Sequence, residues 1–118
     1  MSYKSYENLE VWQLSIELSV RIYELLKNCR DYGFKDQICR AAVSIPSNIS
    51  EGMERDSTKE TIRFLHIAKG SCAEVRTQLL IAFRIGYIDA AAFEALKPDA
   101  ESISRMLHGL VKSLTPKT

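Results

Sequence analysis

A chain of 118 residues is one domain's worth of polypeptide, enough to bury about two-thirds of its unfolded surface around a single core. Sixteen Lys and Arg against fifteen Asp and Glu leave a formal charge of +1, so bulk charge does not mark a nucleic-acid binder and any such role must rest on charge arrangement. Cys29, Cys39 and Cys72, an odd number with no CxxC pair, fit buried thiols in a reduced compartment better than a disulfide framework. The opening residues carry no apolar signal stretch, and no apolar run approaches the roughly 20 residues that span a bilayer. The expectation is a cytoplasmic protein with no membrane partner.

Apolar spacing is helical throughout. The first helix is predicted over about residues 7–29, with two apolar stripes. Leu9, Trp12, Ile16, Val20, Tyr23 and Leu26 form one; Val11, Leu14, Leu18, Ile22 and Leu25 form the other. At 100° per residue the two cover roughly 240° of the circumference, far more than the ~100° stripe a surface helix needs. The excess predicts an oligomer, with Val11, Leu14, Leu18, Ile22 and Leu25 at the subunit interface.

The second helix is predicted over about 35–51, after a break at Tyr32-Gly33 and with Gly52 in the left-handed position past its end. Ile38, Ala42, Ile45 and Ile49 keep one phase across Pro46, so the helix bends there instead of stopping. An internal proline costs roughly 3 kcal/mol that the fold must offset. Helix three is predicted over about 58–85, capped by Ser57 with Glu60 reaching back. Its seam of Leu65, Ala68, Cys72, Val75, Leu79 and Ala82 is of coiled-coil type, and Gly86 ends it. Helix four, about 90–114, starts at an Asp89 cap and repeats the seam through Pro98 from Phe93 to Leu114. Short connections make the neighbours antiparallel, so the fold class is all-α: an up-down-up-down four-helix bundle with a proline-kinked second helix.

Several segments carry a family resemblance. The run Gln37–Gly52, with Tyr6-Glu7-Asn8-Leu9-Glu10-Val11-Trp12, Phe64-Leu65-His66-Ile67-Ala68-Lys69-Gly70-Ser71 followed by Glu74, Gly86-Tyr87-Ile88 and Met106–Leu110, resembles the four-helix-bundle proteins encoded by intervening sequences within 23S ribosomal RNA genes. The resemblance implies a ring-shaped homopentamer, no enzymatic activity and a role with nucleic acid, RNA in preference to DNA. A related bundle, the accessory variability determinant of diversity-generating retroelements, works with a reverse transcriptase and nucleic acid. Two positions depart from the family pattern. Cys39 stands where a second Arg usually precedes Arg40, which weakens a basic patch there, and Lys35 replaces the usual Ser or Thr cap.

The residues themselves offer little chemistry. Ser44, Asn48 and Glu51 on helix two, with Ser71 and Glu74 on helix three, are expected to form a polar network that locks the bend, with Gly70 allowing close backbone approach. Asn48 is placed to satisfy the carbonyl of Ala42 or Ser44. A di-iron centre needs Glu-x-x-His on two helices, whereas His66 and His108 follow Arg63 and Arg105 by three. No metal, cofactor, catalytic group or small-molecule substrate is expected. The charges are more suggestive. Lys59, Arg63, Lys69, Arg76 and Arg84 share the side of helix three away from its seam, a face roughly 40 Å long at 1.5 Å per residue, with Arg40 and Arg55 as secondary candidates for phosphate contact. On helix one Glu10, Glu17 and Glu24 recur every seven residues. The leading reading is a non-enzymatic oligomer that binds nucleic acid through helix three. The alternative is a protein-interaction scaffold whose ring recruits a partner protein, with the charged faces used for pairing subunit with subunit.

Overall fold

The computed structural model describes residues 3–117. After a 3-10 helix at Tyr3–Asn8 come α1 (Glu10–Leu25), α2 (Tyr32–Met53), α3 (Thr58–Arg84) and α4 (Ala90–Leu114), with no strand among the described residues. α1 packs on α2 and α4, α3 packs on α2 and α4, and the α2/α3 pair is the most extensive. α1 and α3 therefore occupy diagonally opposite corners of a bundle measuring 47 × 23 × 22 Å.

Local chemistry sets the helix ends. Asp31 caps α2, its Oδ1 accepting from the Phe34 N–H at 3.1 Å. The helix thus begins at Tyr32 and takes Gly33 into its first turn, where the sequence had suggested a break and a start near Lys35. A carboxylate three residues ahead of an amide outcompetes the breaking tendency of one glycine. Ser57 Oγ accepts from Glu60 N–H at 3.0 Å and Asp89 Oδ1 from Ala92 N–H at 2.8 Å. The Glu60 carboxylate does not return to the cap and lies 3.3 Å from Arg63 instead. Gly86, at φ 84°, closes α3 in the left-handed region that favours glycine.

Gly52 differs from expectation. It lies inside α2 and is buried, where a Cβ would sit 2.8 Å from Phe64 Cβ and 3.2 Å from the Thr61 carbonyl oxygen. Its missing side chain brings the end of α2 against the start of α3, and Thr61 Oγ1 donates to the Gly52 carbonyl at 2.8 Å. Gly70 shows the reverse: nothing lies within 4 Å of its would-be Cβ. Both α2 and α4 run unbroken through Pro46 and Pro98.

The core is built from Ile38, Ala42, Ile45 and Ile49 of α2, the Leu65–Ala82 seam of α3, and Phe93, Leu96, Ala100, Ile103 and Leu107 of α4, all buried. α1 corrects the assignment of its stripes. Val11, Leu18 and Ile22 are 5%, 1% and 0% exposed within the single chain, so they are core residues and unavailable to a neighbour. Leu14 is partly buried against that core, and Leu25 alone of the five is exposed. The inward stripe is completed by Ser15 and Ser19, both buried. Their hydroxyls donate to the Trp12 and Ser15 carbonyls at 2.8 and 3.0 Å, so they enter the core already satisfied. The stripe left outside carries Ile16, Val20 and Tyr23. Arg21 ties α1 to α4 through Asp99 at 2.7 Å.

Candidate interaction surfaces

The polar cluster between α2 and α3 is smaller than the sequence suggested. Asn48 Nδ2 donates to the Ser44 carbonyl at 2.8 Å and to Ser44 Oγ at 2.9 Å, while Ser44 Oγ and Ser71 Oγ lie 2.8 Å apart across the helix pair. The carbonyl can only accept, which fixes the Asn48 amide orientation. Glu51 is exposed and bound to Arg55 at 3.2 Å, and Glu74 is exposed on α3. Neither carboxylate belongs to the cluster, because each points outward from the helix pair. What remains is a neutral hydrogen-bonded clasp, two residues from Pro46.

Two of the three thiols are buried and held protonated. Cys72 Sγ donates to the Ala100 carbonyl at 3.2 Å, and burial pushes its pKa up to about 11, against the smaller opposing pull of Arg76. Burial also raises Cys39. A thiol held protonated is neither nucleophile nor metal ligand. His66 and His108 are exposed. Among the described residues no three His, Cys, Asp or Glu gather to hold a metal, and no helix is long and apolar enough to cross a membrane.

The basic residues do not form a continuous track. Arg63 lies 3.3 Å from Glu60, Arg76 3.9 Å from Glu101 of α4, Arg40 3.0 Å from Asp36, and Arg55 3.2 Å from Glu51. Among the described residues Lys59, Lys69 and Arg84 have no acid within ion-pair distance. Exposed pairs are worth only about 0–1 kcal/mol, so pairing alone does not bar a phosphate. The stronger interruption is the centre of the face, where Gly70, Ala73 and Thr77 are exposed and neutral. Near its start, Arg55 and Arg63 flank the Phe64 ring with guanidinium carbons 4.7 and 4.8 Å from the centroid.

Two apolar surfaces emerged that the sequence reading did not assign. One follows α1 and α2: Ile16, Val20 and Tyr23 are 38%, 51% and 51% exposed, and Ile16 and Val20 line a groove with Trp12, Val43 and Pro46. The other lies on the C-terminal half of α3, where Leu80, Ile81 and Ile85 are exposed, with Ile67 a few turns earlier. The signal for the first was present as one of the two apolar stripes of α1, and only the burial of Ser15 and Ser19 reveals which stripe turns outward. At the opposite end from the Gly52 contact, Tyr87 Oη donates to Asp31 Oδ2 at 2.6 Å. That bond, with the Phe34 N–H, holds the Asp31 carboxyl below its usual range, and Asp31 in turn raises the Tyr87 phenol.

Fold and surface together define a four-helix bundle whose conspicuous features, among the described residues, are its uncovered apolar faces. Residues 7–109 match the profile of the 23S rRNA-intervening sequence protein family, and the chain belongs to that family. Its fold is similar to a 1.70 Å crystal structure of a protein of unknown function from the S23 ribosomal protein family of Bacteroides thetaiotaomicron. That similarity has a TM-score of 0.81 at 29% sequence identity, covering 86% of this chain and 98% of that one. No curated protein matches the chain.

Proposed function

We propose that this protein is a non-enzymatic, self-assembling interaction scaffold of the cytoplasm, in which up-down-up-down bundles, with α2 bent at Pro46, associate head to tail into a ring. The observation that carries the reading is the pair of uncovered apolar surfaces on α1/α2 and on α3. Because α1 and α3 stand at diagonal corners, one contact between copies covers one surface of each and leaves the other free for the next copy. Such heterologous contacts close into rings or continue as filaments. Sedimentation velocity at about 100 µM protomer tests it. A species several times the 13.4 kDa chain mass is expected, and a monomer overturns it.

A second reading, nucleic-acid binding with RNA ahead of DNA, is favoured by Lys59, Lys69 and Arg84, whose charges no described acid neutralises, and by the family's association with ribosomal RNA genes. Arg40, Arg55, Arg63 and Arg76 would join only by leaving their carboxylates. Anisotropy titration of a generic single-stranded RNA across salt decides it. Binding that weakens steeply with salt, and weakens further in Lys59→Glu with Arg84→Glu, supports this reading. No binding at low salt by an intact oligomer ends it.

A further inference from the structure

We propose that α1 of one copy docks along the outer face of α3 of a second copy, with its glutamates paired to the bases of α3. The inference rests on the self-association proposed above and names its contact.

The receiving face has three features. Gly70, Ala73 and Thr77 form an exposed ridge of small side chains at helical spacing, and Gly70 has open space where a Cβ would be. Gly109 is equally open, so an open glycine alone carries no meaning. The ridge differs in running between two grooves. On the α4 side a groove of about 410 Å³ has apolar walls from Leu79, Leu80 and Phe93, and its charged lining is Arg76 and Lys97 with the single acid Glu101. On the α2 side a groove of about 500 Å³ is lined by Phe34, Ile81 and Gln78, with the exposed Glu74 on the far side of the ridge from Lys69 and Arg76. Gln78 is only 7% exposed, and its Oε1 has no hydrogen-bond partner. That oxygen is sealed within the chain, so it offers a partner no acceptor. A low ridge between two apolar troughs is the shape that admits another helix closely, flanking side chains filling each trough.

Charge and spacing select α1 as that helix. Ile16, Val20 and Tyr23 supply the apolar strip, and Trp12 and Tyr23 bring N–H and O–H donors. Beside the strip Glu10, Glu17 and Glu24 are exposed, and none lies within ion-pair distance of a described cation. They recur every seven residues, a rise of about 10.5 Å. On α3 the bases Lys69, Arg76 and Arg84 recur at seven and eight, so the two ladders stay in step when the helices cross at a shallow angle, as e and g charges do between coiled-coil strands. Arg76, 3.9 Å from Glu101, sits at the limit of its in-chain pair and can turn outward.

The test reverses each ladder and then both. Glu17→Lys with Glu24→Lys, and separately Lys69→Glu with Arg76→Glu, should each loosen self-association by about tenfold or more in sedimentation velocity. The chain carrying all four changes should regain most of the native association. Gly70→Trp should block the ridge while leaving the single chain folded by circular dichroism. Native-like assembly of both reversals and of Gly70→Trp overturns the contact, as does a fourfold variant no better than the weaker reversal. If the native chain is itself monomeric, the self-association reading fails instead.

Discussion

Replacing Gly52 by alanine isolates what the α2/α3 contact contributes. The new Cβ would sit 2.8 Å from Phe64 Cβ and 3.2 Å from the Thr61 carbonyl oxygen, whereas carbons pack best at about 3.5–4.0 Å. Neither neighbour is the free end of a flexible side chain, so the helices themselves must separate by the better part of an ångström. That movement stretches the 2.8 Å bond from Thr61 Oγ1 to the Gly52 carbonyl. Overpacking of this kind costs about 1–3 kcal/mol and a weakened hydrogen bond about 0.5–1.5 kcal/mol. Against these, alanine in place of glycine inside a helix gains about 1 kcal/mol. The balance is a destabilisation of about 1–3 kcal/mol. Gly109→Ala, with no atom near its new Cβ, supplies the control and should stabilise by about 0.5–1 kcal/mol. Urea unfolding followed by circular dichroism reads both, at one protomer concentration because the proposed self-association would make the midpoint depend on it. A Gly52→Ala midpoint at or above that of Gly109→Ala would refute the close approach.

Three further outcomes follow from the described contacts. Asn48→Leu removes both donations to Ser44 beside Pro46 and should cost about 1–3 kcal/mol in the same urea assay, whereas Glu51→Gln and Glu74→Gln, outside the clasp, should each stay within about 0.5 kcal/mol of native. Of the three thiols, Cys29 alone should react promptly with a disulfide reagent at neutral pH, Cys39 and Cys72 only on unfolding. Because the Cys72 pKa is raised in the folded chain from 9.0 to about 11, its contribution to stability is intact below pH 9 and lost as pH rises toward 11, so Cys72→Ala should flatten the alkaline limb of a stability profile. Tyr87→Phe should let the Asp31 carboxyl titrate closer to its ordinary 3.8 by NMR, since the phenol is the first cause of its lowering. The native carboxyl, ionised to lower pH, favours folding above the unfolded value, and that support fades in more acidic solution.

Much of the architecture was legible because single residues decided it. The seam of α3, the caps at Ser57 and Asp89 and the stop at Gly86 each rest on one local rule that nothing elsewhere in the chain contradicts. The start of α2 was less legible. Gly33 argued for a break, whereas in the fold Asp31 caps the helix, its carboxylate accepting from the Phe34 N–H and also from Tyr87, 56 residues away in sequence. Gly52 was misplaced for a similar reason. A glycine near a helix end suits a left-handed turn, but here its use is to admit Phe64 and Thr61 of the next helix, a contact no local pattern encodes.

The site was harder to read because its meaning depends on which half of each helix is already used. α1 offers two apolar stripes of nearly equal strength, and a helical wheel cannot rank them. Ser15 and Ser19, ordinarily counted as polar, bond back to their own helix and so complete the inward stripe. Tyr23, ordinarily counted as core, is half exposed, and Trp12 is only partly buried at the edge of the core. The basic face of α3 suffered the same ambiguity. A wheel shows five cations on one side, but Glu60 on the adjoining turn and Glu101 on α4 answer two of them, and the neutral ridge at Gly70, Ala73 and Thr77 separates the rest. Phosphate backbones reward unbroken positive charge, whereas a helix with acids at seven-residue intervals beside an apolar strip rewards cations separated by small, neutral residues. The same five side chains thus argue for protein contact more strongly in three dimensions than on the wheel.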